Sequence, residues 1–159
     1  MAGKVVSRYL NKYGREILDS EVFKQAMRQT HHKHSSVGAH TLGVTAVSIW
    51  TCCLLKKLHV RTDVEDIVQG ALCHDLGILG RDDKYENDHE CYRRHPIDSV
   101  KVAEKLVPEL SDKSKEIIRH HMWPVTKEFP TSREGVIVSV ADKVVSVRDF
   151  FGIGNSYTA

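Results

Sequence analysis

His74 and Asp75 stand side by side at the end of an apolar helical segment, Ile67-Val68-Gln69-Gly70-Ala71-Leu72-Cys73. A neutral imidazole and a neighbouring carboxylate can both bind one hard or borderline cation. The carboxylate has two oxygens and can also bridge two ions. A helix end with a favourable histidine charge and a solvated aspartate has the same letters, so the wider arrangement must decide. His40 lies inside the apolar stretch 35–58, where a polar ring needs a partner. Asp142 lies in Val138-Ser139-Val140-Ala141-Asp142-Lys143-Val144-Val145, where an unpaired carboxylate would be expensive. Separate apolar helices thus each bring metal-type ligands, which is how helical bundles build metal sites. The 10 histidines in the chain point the same way.

The elements that must hold these residues read as helices. The chain has only 4 prolines and 10 glycines, and most segments between them carry helical periodicity. Residues 3–14 and 20–29 are expected to be short helices, the second capped by Asp19 or Ser20. Val37, Leu42, Val44, Val47, Ile49, Leu54, Leu55 and Leu58 make 35–58 apolar almost all round, which predicts a buried helix. Thr62 to Glu65 resembles a capping box opening a helix that ends at His74. The polar run from Arg81 to Arg94 is expected to be a loop, with Pro96 in the first turn of the next helix. Ser111 can cap a helix ending near His121, and a last helix is expected from about Ser132 to Phe150. The alternation of Val136, Val138 and Val140 suits a strand, but a strand without a partner is a poor solution. The expected fold is all-α, a helical bundle forming one structural domain, with 151–159 a weakly specified tail.

Composition limits the alternatives. The 159 residues are 41% hydrophobic and 28% charged, an ordinary globular balance. A net charge of +2 gives no argument for nucleic acid or a membrane surface. No apolar stretch is expected to reach ~18 residues, and Met1 to Leu10 lacks the apolar region of a signal peptide. Cys52, Cys53, Cys73 and Cys91 form no C-x-x-C pair and read as reduced core thiols, so a cytoplasmic setting is expected.

Taken together, His40, His74–Asp75 and Asp142 resemble the H…HD…D pattern of the HD-domain superfamily of metal-dependent phosphohydrolases. The surroundings are similar too. Val37-Gly38-Ala39-His40-Thr41-Leu42 looks like the first ligand helix, Leu72-Cys73-His74-Asp75-Leu76-Gly77 like the H-D-[IL]-G signature, and Val140-Ala141-Asp142-Lys143 like the final A-D-K segment. The resemblance spans roughly residues 28–150, preceded by N-terminal helices in 1–27. His95-Pro96 and His120-His121-Met122-Trp123-Pro124 extend it towards members that hold two metals.

The resemblance implies one ion on His40, His74, Asp75 and Asp142, and a second on Asp75, His95 and His120 or His121. His121 projects inward better, lying i+4 from Ile117 and i+3 from Ile118. The ions would be divalent transition metals, with Mn, Fe, Co, Ni and Zn all compatible with the donors. The implied reaction is hydrolysis of a phosphate ester on a nucleotide or phosphorylated metabolite, centred on His74 and Asp75. Lys143, Arg94 and His34 are candidate substrate contacts. His31, His32 and His34 form either a phosphate-contacting or metal-adjacent cluster, or a solvated turn. Two other functions share the ligands: a di-iron oxygenase cleaving C–C or C–P bonds, and a metal-binding regulatory module without turnover. A small phosphorylated substrate is the expected partner, and a homo-oligomer remains open.

Overall fold

A computed structural model of the chain describes residues 2–32 and 35–153. The N-terminal part comprises α1 (Ala2–Tyr9), a π-helical turn (Leu10–Gly14), α2 (Arg15–Leu18) and α3 (Glu21–Arg28). A two-stranded antiparallel hairpin follows, β1 (Thr30–His32) with β2 (Ser35–Ser36). Then come α4 (Val37–Lys57), α5 (Val64–Cys73), a 3-10 turn (Leu76–Ile78), α6 (Arg81–Lys84), α7 (Asp88–Leu106), α8 (Asp112–His120) and α9 (Arg133–Phe150). This is the helical bundle expected, with a small hairpin that periodicity did not signal.

Helix starts are set by side-chain oxygens that take up unpaired amide hydrogens. Ser20 accepts from the Phe23 amide, Ser36 from Ala39, Ser111 from Ser114 and Ser132 from Gly135. At α5 the cap is Asp63, which accepts from the Asp66 amide, rather than a box built on Thr62. Each such cap contributes about 1 kcal/mol.

α5 sits at the centre. Its Val68 and Leu72 join one apolar cluster with Ile17, Phe23, Val37 and Ile118. Its Ile67 and Ala71 join another with Val44, Ile117, Val138 and Val145. The segment carrying His74 and Asp75 is therefore gripped from both sides. Truncating a fully buried Ile117 or Leu72 to Ala would cost about 2–5 kcal/mol. α4 packs on α3, α5 and α9. By length and composition it could cross a membrane, contrary to the sequence expectation, because Thr and Gly interrupt its apolar run without adding charge. Most of it is buried inside the bundle, as a core helix should be.

The polar run 81–94 is not a loop. Asn87 accepts from the Glu90 amide and starts α7 at Asp88, so Pro96 lies inside the helix and not in its first turn. Tyr92, Arg93 and Arg94 are its exposed face, while Cys91 and His95, four residues apart, point inward. Its buried stripe here is a cysteine and a histidine, so the usual apolar period is missing. Two glycines let the ligand-bearing helices approach. A Cβ on Gly70 would lie 2.6 Å from Ile117, so α5 and α8 could not close together. A Cβ on Gly77 would lie 2.3 Å from the Ser99 nitrogen and 2.4 Å from the His95 oxygen. The turn after Asp75 therefore rests directly on the α7 backbone, and the Gly77 amide donates to Ser99 Oγ at 2.8 Å.

Candidate metal centre

Three helices (α4, α7 and α9) and the turns that follow α5 and α8 bring His40, His74, Asp75, His95, His121 and Asp142 to one buried place. The side chains of His40 and His74 are fully buried, and the other four are at most 8% exposed. The histidines share one arrangement. His74 Nδ1 donates to the Ala71 carbonyl at 2.7 Å, His95 Nδ1 to Cys91 at 2.8 Å, and His121 Nδ1 to Ile118 at 2.7 Å. His40 Nδ1 donates to Asp149 Oδ2 at 3.0 Å. With every Nδ1–H directed outward, each Nε2 is left with its lone pair facing the centre. Outer partners of this kind fix the tautomer of metal-binding histidines.

The inward nitrogens then face acceptors. His95 Nε2 and His121 Nε2 lie 3.1 Å apart. Two lone pairs repel at that distance unless a proton or a cation lies between them. His74 Nε2 is buried and has no hydrogen-bond partner among the described residues. His40 Nε2 lies 2.9 Å from Asp142 Oδ1. The two oxygens of Asp75 are divided: Oδ2 faces His74 at 3.3 Å and His40 at 3.8 Å, and Oδ1 faces His95 at 3.2 Å and His121 at 3.4 Å. Donor atoms of His40, His74 and Asp142 lie within 4.8 Å of one another, as do those of His74, Asp75 and His121, and of His31, His40 and Asp75. Mixed imidazole and carboxylate donors at these separations fit one or two divalent transition ions.

Protonation reflects the same frustration. Burial works against charge on His74, yet Asp75 and Asp142 outweigh it and lift its pKa to about 10. Burial is likewise overcome at His95 by Asp75, which raises it to about 9. His121 goes the other way, to about 4, because burial and its charged neighbours His74 and His95 exceed the pull of Asp75. Burial opposes ionisation of Asp75 and Asp142, but surrounding histidines hold both well below the usual carboxylate range. Protons on His74 and His95 thus stand where cations would otherwise balance the two aspartates.

The sequence model of the HD domain family matches residues 37–146. The chain belongs to the HD domain family. No curated protein and no solved structure matches it. His40, His74–Asp75 and Asp142, the positions singled out by the resemblance, all lie within the matched span, and the geometry brings His95 and His121 to the same cluster.

Other expected positions lie elsewhere. His120 is not brought in: its ring bonds Glu116 at 3.2 Å and faces Glu128 at 3.3 Å on the outer side of α8. One helical step separates it from His121, and only the latter meets the α5 side. Arg94 points to Glu90 and stands over the Tyr85 ring, away from the cluster. His34 lies outside the described residues. Lys143 does reach the centre, donating to Asp142 Oδ2 at 2.5 Å and to the His121 carbonyl at 2.9 Å. A cleft of about 380 Å³ opens above the cluster, lined among others by His31, Asp75, Arg81, His95, Asp142 and Lys143.

Asp149 was not foreseen. Its carboxylate is fully buried beneath His40 and takes two bonds from Arg148, at 2.8 and 3.1 Å. Burial opposes its ionisation, but the His40 ring and the Arg148 guanidinium together hold its pKa down at about 2. The available signal was its spacing, seven residues after Asp142 and so on the same face of α9.

Proposed function

We propose that this chain is a metal-dependent phosphohydrolase whose centre holds two ions bridged by Asp75. The observation that carries the two-ion reading is the division of the Asp75 oxygens between His40 and His74 on one side and His95 and His121 on the other. His40, His74, Asp75 and Asp142 would hold one ion, and Asp75, His95 and His121 the other. Such ions activate water near neutral pH and neutralise phosphoryl oxygens.

The chain's own groups do the rest. Asp149 fixes the His40 ring through Nδ1, and the Ala71, Cys91 and Ile118 carbonyls fix the other rings. Lys143 and Arg81 put positive charge on the wall of the cleft, where a phosphate would enter. Asp88 pairs with Arg81 and holds its guanidinium at the rim. The volume of about 380 Å³ suits a small phosphorylated substrate, a nucleotide or sugar phosphate in size. The free thiols Cys52, Cys53, Cys73 and Cys91 support a reducing, cytoplasmic setting.

Metal analysis of protein purified without added metal should find one to two transition ions per chain. Asp75→Ala should lose them, and phosphatase or phosphodiesterase turnover with Mn²⁺, Co²⁺ or Ni²⁺ should vanish with them. Full metal retention in Asp75→Ala would overturn the site. Iron-dependent oxygen uptake with no phosphate release would overturn the reaction class.

A further inference from the structure

One histidine at the centre belongs to none of the helices that carry the family pattern. His31 lies on β1, outside the residues 37–146 matched to the HD domain family. Its Nε2 is 3.4 Å from Asp75 Oδ2, and its side chain is only 11% exposed. Its ring centre is 4.8 Å from that of His40. Its donor atom lies within 4.8 Å of donors on both His40 and Asp75, and it lines the cleft.

The hairpin is held in place by bonds on both sides. The Val37 amide donates to the Gln29 carbonyl at 2.9 Å, tying the hairpin's two ends together where α4 begins. The Gln29 side chain donates to the Ile78 carbonyl at 3.2 Å and accepts from the Gly80 amide at 2.8 Å. Those residues directly follow the His74–Asp75 turn. The strand bearing His31 is thus stapled to the segment bearing Asp75, and rigid support of this kind marks a positioned side chain.

We propose that His31 is an additional metal ligand, donating Nε2 to the ion on the Oδ2 side of Asp75. This rests on the reading that the cluster holds metal. It makes the centre asymmetric. The Oδ2 side would have donors from His31, His40, His74, Asp75 and Asp142, and the Oδ1 side only from Asp75, His95 and His121. The richly ligated side binds its ion more tightly, and the sparsely ligated side keeps open positions for water and substrate. The hairpin thereby becomes part of the site.

The test is calorimetric and spectroscopic titration of metal-stripped full-length protein with Co²⁺, for wild type, His31→Ala, His31→Gln and His120→Ala. Losing a direct ligand should weaken the tighter Co²⁺ site at least as much as the roughly 10–100-fold caused by losing an outer partner. The visible Co²⁺ spectrum should change with it in both His31 variants. His120→Ala should match wild type in both. Thermal melts without metal identify a variant that has merely unfolded, and the second His31 variant then decides. Wild-type affinity and an unchanged spectrum in a folded His31 variant would overturn the proposal, and are the result a His31 that only touches phosphate would give. Failure of the wild type itself to bind Co²⁺ would overturn the phosphohydrolase reading as well.

Discussion

Replacing Gly77 by Ala adds one methyl group where the turn after Asp75 meets α7. The new Cβ would stand 2.3 Å from the Ser99 nitrogen and 2.4 Å from the His95 oxygen, whereas ordinary contact begins near 3.4 Å. Both neighbours are backbone atoms of a helix interior and cannot rotate aside. The turn and α7 must therefore separate by about 1 Å, the difference between 3.4 and 2.4 Å. Overpacking of this kind costs about 1–3 kcal/mol. The separation also draws His95 away from Asp75 Oδ1, now 3.2 Å from it. A displacement of about 1 Å in a reacting centre costs on the order of 100-fold in rate. The assay combines a thermal melt, metal content and phosphohydrolase turnover. Gly77→Ala should melt earlier, lose affinity for one ion and fall about 100-fold in kcat/KM. Wild-type metal content and turnover in this variant would refute the claim that this glycine sets the His95–Asp75 spacing.

Asp149→Asn removes the charge beneath His40, and metal affinity should drop about 10–100-fold in a Co²⁺ titration. Arg81→Ala should raise KM for a phosphate ester, whereas Arg94→Ala, which touches Glu90 outside the cleft, should leave it unchanged. The pH dependence has opposite signs with and without metal. His74 and His95 have folded pKa values raised to about 10 and 9, above their unfolded value near 6.5. Their stabilisation of the metal-free fold is fully present below pH 6.5 and is lost as pH rises through 9 to 10, so its melting temperature should fall across that window. Metal must displace the same protons, so Co²⁺ affinity should rise over the same window, with proton release seen by titration in weakly buffered solution.

The helices bearing His40, His74–Asp75 and Asp142 were legible because each polar ligand interrupts an apolar run, and burying it without a partner is costly. The caps at Ser20 and Ser111 were legible for a similarly local reason, since a cap bonds an amide three residues on. The start of α7 was not, because its inward residues there, Cys91 and His95, do not look like a core stripe.

What sequence alone determined is the inner cluster of His40, His74, Asp75 and Asp142, through residue type, local period and the family resemblance. What only the tertiary structure decided is everything set by distant approach. It turned His120 to Glu116 and Glu128, placed Asp149 under His40, and laid His31 against Asp75, 44 positions further along the chain. How closely α5 meets α8, and the turn after Asp75 meets α7, depends on Gly70 and Gly77 lacking a Cβ. Local periodicity fixes which face of a helix a residue occupies. Only packing fixes what that face meets.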